Sequence, residues 1–234
     1  MKYKNAKQYN VRGEVIDPKN QMPALAQQKP APGQLAKLST ERVPSTIPKG
    51  GTDNDTWQYP SPQQFWNALV RKGKTEGAEE EAIDAVIAIH NNMNENTWRQ
   101  VLAWEEMHPV TRPGGEPKLL RFQGRPDELS PKARLKILFG HPAPFDRHDW
   151  VVERDDGREV RYVIDFYAGR QGEGDGPRAP AAMHLDVRPA LDSLPALFAR
   201  LDLAARAYFR PMSLPAVLQS RRGGDRSSSS KDVR

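Results

Sequence analysis

Cysteine is absent from all 234 residues. That excludes a disulfide scaffold, a thiolate metal site, a cysteine nucleophile and any thioether made by the chain's own side chains. Long apolar runs are absent too, and none approaches the roughly 18 residues a membrane span needs. Hydrophobic residues make up only 37% of the chain and the mean hydropathy is −0.76. Part of the chain is therefore expected to lie outside any packed core, whether that core is one large domain or two small ones. The opening decapeptide MKYKNAKQYN has neither the apolar centre of a signal peptide nor the Arg-rich amphipathic pattern of a transit peptide. Any organelle address is expected to be internal. GxGxxG, Walker, HExxH and GxSxG motifs are all missing, which removes the commonest nucleotide, zinc-protease and serine-hydrolase readings.

What is present is unevenly distributed. Residues 1–50 hold nine Lys/Arg against three Asp/Glu, and residues 206–234 hold seven against two. The middle, 51–205, carries 19 against 25 and is acidic. Basic ends suit an anionic membrane surface, at about 1 kcal/mol per cation near the lipid, and equally suit solvated tails. An acidic middle argues against nucleic acid as a partner and would attract a basic protein.

Residues 1–56 are rich in Pro, Lys, Gln, Ser and Thr and show no sustained period, so they read as an extended or disordered arm, pinned locally at spots such as Val43-Pro44. A domain over 57–208 and a low-complexity tail over 209–234 follow. Ser61-Pro62-Gln63-Gln64 supplies an N-cap, a first-turn proline and a capping-box glutamine, and Gly73 stops the helix. Ile83, Val86, Ile87, His90, Met93, Trp98, Val101 and Leu102 recur at helical steps, with an Asn-rich patch over 91–96 able to interrupt them. Ser130-Pro131 opens another helix that Gly140 closes. The period then changes to two across Asp155-Asp156-Gly157, a hairpin signal. A Gly-rich loop over 169–176 leads to a third strand over 183–187, and Pro189 with Asp192 opens a final helix through Leu201 and Ala205. The expected class is α+β, helices packed with a small antiparallel sheet made of a hairpin plus a third strand.

Two histidines carry chemical interest. His90 lies on an apolar helical stripe. A core histidine hydrogen-bonded to a neighbour and an axial ligand to a large apolar cofactor both fit that position. His148 lies in Phe145-Asp146-Arg147-His148-Asp149-Trp150, which reads as an ion-paired strand entrance, as an acid–base site with Asp146 or Asp149 orienting the ring, or as part of a metal site completed from elsewhere. His108 and His141 precede prolines and read as surface loop residues. Trp57, Trp98 and Trp104 read as core aromatics, while Glu95 and Arg154 have no role assignable by spacing.

Longer words are more specific. Tyr59-Pro60-Ser61-Pro62-Gln63-Gln64 and Asn67-Ala68-Leu69-Val70-Arg71-Lys72-Gly73 resemble the mitochondrial cytochrome c haem lyase (holocytochrome c synthase) family. So do Ile89-His90-Asn91 with Asn94-Glu95, Ser130-Pro131-Lys132-Ala133-Arg134, FDRHDW, EVRYVID and DVRPALDSL, in the family's order over about residues 40–200. The resemblance implies a lyase of the mitochondrial intermembrane space, peripheral on the inner membrane. Its substrates would be ferrous haem b and the CxxCH segment of apocytochrome c, whose two thiols are joined to the two haem vinyl groups. It further implies that His90 is the axial ligand of the haem iron and that Trp57 lies at the haem site. Glu95 and Arg154 are implied to be functionally sensitive, and His148 is a second histidine of less settled role. Haem attachment to cytochrome c1, or a non-catalytic haem-binding chaperone, are the alternatives. Many members carry Cys-Pro haem-regulatory motifs in the arm, and this chain has none.

Overall fold

The computed structural model describes residues 8–9, 15–17, 19, 28–106, 116–169, 183–192 and 201. Short strands β1 (Gln8–Tyr9) and β2 (Val15–Ile16) pair with each other, as do β3 (Pro44–Pro48) and β4 (Thr56–Gln58). Helices α1 (Pro62–Lys72) and α2 (Ile83–Glu106) follow, then β5 (Lys118–Gly124), α3 (Pro131–Leu138), β6 (Asp146–Glu153), β7 (Glu159–Ala168) and β8 (Met183–Pro189). The last four strands form one antiparallel sheet in the order β5-β6-β7-β8. The α+β expectation is met.

Local signals in the sequence set the element ends. Ser61 accepts from the Gln64 N–H while the Gln64 side chain accepts from the Ser61 N–H, closing the capping box ahead of Pro62. Gly73 ends α1 in the left-handed conformation, φ 65°, which costs glycine little and other residues about 1 kcal/mol or more. Ser130 caps α3 with its side chain alone, which accepts from the Ala133 N–H. Between β6 and β7 the five-residue connection turns at Gly157, φ 78°, where the Arg154 N–H donates to the Arg158 carbonyl at 2.9 Å.

The structure departs from the sequence reading in several places. The sheet has a fourth strand, β5, whose register shifts between Leu119 and Arg121; that irregularity breaks the two-residue alternation by which a strand is read. The Asn-rich patch does not interrupt α2. Asn94 donates to the His90 carbonyl at 3.0 Å and Thr97 to the Met93 carbonyl at 2.9 Å, so these polar side chains bond within the helix instead of competing with it. Val86 is 41% exposed, so the buried stripe runs through Ile83 and Ile87 instead. β8 extends to Pro189, where the reading has a helix opening, and the rest of that helix falls mostly outside the described residues. His108, the Gly-rich loop beyond residue 169 and the tail over 209–234 also lie outside them.

Part of the segment read as an arm joins the body. Ile47 of β3 is 2% exposed and belongs to the same core as Trp57. β3 reaches the sheet through the Gly50 N–H, which donates to the Leu119 carbonyl at 2.8 Å. A methyl group on Gly50 would come within 2.7 Å of the Leu120 Cα, so this approach requires glycine.

Because strand side chains alternate, the sheet has two unlike faces. Phe122, Trp150, Val152, Tyr162, Ile164, Phe166, Leu185 and Val187 share one, packed against Trp98, Val101 and Met93 of α2 and against Trp57. Arg147, Asp149, Arg161, Asp165, Asp186 and Arg188 share the other, toward α3.

Candidate functional site

His90 sits at the seam between two apolar clusters of α2. One and two turns earlier Ile87 and Ile83 pack with Trp66, Phe65 and Leu69. One to three turns later Met93, Trp98 and Val101 join the main core. The Phe65 ring of α1 lies 5.8 Å from the His90 ring, and Asn94 Nδ2 lies 3.3 Å from Nδ1. Burial first, and then the charges of His148 and Lys72 against the opposing charge of Asp146, leave His90 less basic than an ordinary imidazole. At neutral pH it is the neutral ring, with a nitrogen lone pair able to bind a metal.

His148 shares these surroundings. It enters β6 on the apolar face, its ring 5.0 Å from that of Phe166, and its Nε2 lies 3.2 Å from Asp146 Oδ2. Burial alone would raise the Asp146 carboxyl. The His148 hydrogen bond and charge, the Arg147 N–H at 2.7 Å and the charge of Lys74 outweigh it and hold that carboxyl below its ordinary range. The two possible orienting carboxylates are thus told apart. Asp146 holds the ring, while Asp149 faces the other side of the sheet and bonds Arg147 and Arg161. Among the described residues no His/Asp/Glu group is arranged to hold a metal ion by itself. His141 is an exposed loop residue, as expected.

Trp57 closes the apolar wall on the β5 side. Its Nε1 donates to the Leu119 carbonyl at 2.8 Å, and its ring meets Phe122 edge-on at 5.2 Å. Two residues further along β5, Gly124 abuts His148, where an added methyl would touch the ring Nε2 at 3.4 Å. Trp57, Phe122, Phe166 and Met93 belong to one apolar core cluster, which His148 meets at Phe166, while the His90 ring meets Phe65. An imidazole with an aromatic ring against it, at the border of an apolar cluster, is chemically suited to a planar, apolar macrocycle with a metal at its centre.

Glu95 does different work. Its carboxylate accepts from Ser45 Oγ at 2.7 Å, from the Thr46 N–H at 3.1 Å, from the Thr46 hydroxyl and from Tyr59 Oη at 2.8 Å. Burial would raise Glu95, yet these donors together keep it below the usual carboxylate range. Tyr59 is pushed well above the ordinary phenol range, first by burial. Glu95 thus latches the β3 and β4 ends, and with them Trp57, onto α2.

Arg154 is held elsewhere. Its Nε and Nη2 bond the two oxygens of Glu105 at 2.5 and 3.0 Å, and Tyr162 Oη donates to the same carboxylate at 2.5 Å. Glu105 is 1% and Arg154 9% exposed. Six residues along β6 separate Arg154 from His148, about 20 Å, and fifteen residues of α2 separate Glu105 from His90, about 22 Å.

The charge of His148 is therefore felt at His90, Trp57 shares an apolar cluster with the Phe166 that meets His148, Glu95 is tied to the β3 and β4 ends, and Arg154 is set apart. Sequence reading missed Glu105, although an acid continuing the stripe of Trp98 and Val101 is the signal of a buried partner. It missed Tyr59 and Ser45 as partners of Glu95, for which no local signal exists.

A family model described as cytochrome c/c1 heme lyase matches residues 1–203. The chain is 45% identical over 199 residues to the holocytochrome-c synthase of Saccharomyces cerevisiae, covering 76% of this chain and 72% of that one. It is 46% identical over 194 residues to the holocytochrome c-type synthase of Bos taurus, covering 82% and 68%. A putative holocytochrome-c1 synthase of Schizosaccharomyces pombe is 45% identical over 159 residues, covering 66% and 69%. No solved structure matches the chain.

Proposed function

The chain belongs to the cytochrome c/c1 heme lyase family, and on that premise we propose that it is a holocytochrome c synthase. Its substrates are ferrous haem b and apocytochrome c. Its reaction adds each S–H of a CxxCH segment across a haem vinyl group, so that a C–S and a C–H bond form with no net oxidation. The single observation that carries this reading is His90, a neutral imidazole at the aromatic seam beside the His148–Asp146 pair.

His90 binds the haem iron on one face, and the histidine of the CxxCH segment binds it on the other. Ligation from both sides brings each thiol beside a vinyl carbon. Such orientation lowers a barrier by about 7–11 kcal/mol at best. The enzyme supplies no nucleophile, and with no cysteine of its own it cannot be alkylated by the vinyl groups it presents. His148, held by Asp146, receives the proton leaving sulfur and returns it to the vinyl carbon. Trp57 walls the macrocycle, and Glu95 keeps that wall in position through Tyr59, Ser45 and Thr46.

The longer stretch matched in the c-type synthases favours apocytochrome c over cytochrome c1 as the acceptor. The compartment that follows is the mitochondrial intermembrane space, with peripheral attachment to the anionic inner membrane. No helix among the described residues is long and apolar enough to cross a membrane. Leu138 and Phe139 at the end of α3 are 79% and 73% exposed and, with the basic ends of the chain, support a surface contact.

Co-expression with apocytochrome c, with apocytochrome c1 as a second arm, tests the reading by scoring covalent haem. Wild type is expected to yield the thioether-linked product with apocytochrome c, and His90→Ala to lose nearly all of it. Full product from His90→Ala, or haem and apocytochrome binding with no covalent product from wild type, would overturn it.

A further inference from the structure

A histidine that binds a metal through one ring nitrogen ordinarily donates its other ring N–H to a carboxylate, a carbonyl or a water, which fixes the tautomer and makes the ligand more basic. His90 shows the reverse arrangement. The atom beside its Nδ1 is Asn94 Nδ2, at 3.3 Å, and the same amide nitrogen donates to the His90 carbonyl at 3.0 Å. That carbonyl fixes which way the amide faces, since exchanging its ends would set the amide oxygen against the carbonyl oxygen. An amide nitrogen donates and does not accept. Nδ1 is therefore the acceptor of the ring, and the single proton of the neutral imidazole sits on Nε2.

The surroundings hold this arrangement. Positions 90 and 94 stack on one face of α2, which runs unbroken from Ile83 to Glu106. Phe65 meets the ring at 5.8 Å and brings no lone pair. Asn91 brings an acceptor oxygen, but that buried atom has no hydrogen-bond partner among the described residues. A neutral ring has one proton and one lone pair. Iron at Nε2 needs the proton carried through water from Nε2 to Nδ1, where two donors then face each other and the Asn94 bond is lost. Iron at Nδ1 needs the amide to withdraw. By either route, ligation breaks a hydrogen bond that the haem-free chain makes.

We infer that Asn94 is a positioning residue that holds the His90 ring in the tautomer opposed to ligation, and so weakens the His90–iron bond. The inference rests on the proposed function above and deepens it. Haem arrives as substrate and leaves within the product, so the bond from His90 must break once per turnover. A ligand supported firmly from behind would keep the product. One hydrogen bond has a net worth of about two- to tenfold in an equilibrium, enough to ease release and too little to abolish binding.

The test has two arms on the purified full chain. Without haem, the ring-nitrogen NMR shifts of His90, identified by their loss in His90→Gln, are expected to show the proton on Nε2 and a hydrogen-bonded lone pair on Nδ1. A proton on Nδ1 overturns the inference. With ferrous haem, Asn94→Leu removes the donor while keeping the bulk, and leucine favours a helix more than asparagine does. It is expected to bind haem about fivefold more tightly than wild type. Asn94→Asp, whose carboxylate accepts from Nδ1–H, is expected to raise the iron–histidine stretching frequency in resonance Raman spectra. Haem binding by Asn94→Leu that is weaker or unchanged, with the Soret spectrum still dependent on His90, overturns the inference and leaves the parent reading standing. A His90→Ala Soret spectrum identical to wild type overturns the parent reading and the role of Asn94 with it, whatever the tautomer in the haem-free chain.

Discussion

The two faces of the four-stranded sheet are built by opposite means. The face toward α2 is a continuous apolar surface in which Trp150, Val152, Tyr162 and Ile164 exclude water almost completely. The buried ionic group within it, Glu105 with Arg154 and Tyr162, is paired. The face toward α3 is a lattice of charge. Asp149 bonds Arg147 and Arg161, Asp165 bonds Ser130 and Arg188, and Asp186 bonds Lys132, Lys136 and Arg188. The contrast teaches that an abundance of charge does not mark the site. The charged face is scaffold, each carboxylate answered by its own cations. The proposed site lies where the apolar face runs out, at His148 and His90.

This contrast can be broken from either side. The largest effect is expected from Arg154→Ala, which strands the Glu105 carboxylate in the apolar face. Removing one partner of a buried pair costs about 3–5 kcal/mol, so denaturant unfolding should show a loss of that size. The folded fraction should keep a wild-type haem ligand spectrum, because the pair lies far from His90. Faster haem loss with unchanged stability would instead make Arg154 a haem contact.

On the charged face, Asp186 gives a smaller and pH-dependent effect. Burial would raise its carboxyl, but Lys132, Arg188 and Lys136 outweigh burial and lower it from 3.8 to about 2. A carboxylate lowered on folding stabilises the native state above its unfolded pKa, and that contribution disappears as pH falls through the folded value. Asp186→Asn is therefore expected to cost roughly 2 kcal/mol at pH 7. It should cost progressively less between pH 4 and pH 2, read as a flatter acid limb of the unfolding midpoint. A mutant penalty that does not change with pH would show that shape, not charge, holds Asp186.

The smallest effect belongs to Arg121 and Glu159, bonded at 3.1 Å but 52% and 47% exposed. Their double-mutant coupling should be about 0.5 kcal/mol or less and should vanish in high salt. A coupling as large as that of Arg154 with Glu105 would mean that burial is not what separates strong pairs from weak ones here.

Much of the fold was legible because its signals are local. Ser61 and Gln64, Gly73, Ser130 and Gly157 act within a few residues of themselves, and the structure bears each of them out. The β5 strand was not legible, since its register shift disturbs the pattern that announces a strand. Nor was the packing of Ile47, since a single apolar residue in a Pro-rich stretch reveals nothing until the sheet edge that receives it exists. At the site, His90 stood out from its stripe, and the DRHD cluster from its density of charge. Which carboxylate holds His148, where Glu95 points and how Arg154 is engaged depended on strands and helices distant in the chain.

By itself the sequence determined where helices and the hairpin begin and end, which faces are apolar and which words tie the chain to its family, because capping, turn and periodic patterns are short-range physics. Only the tertiary structure decided that two histidines 58 positions apart share one electrostatic environment, and that Glu95 and Arg154, alike in having no role by spacing, do unlike work. Charge interactions of that kind depend on separation in space and on the water between groups, and neither is written along the chain.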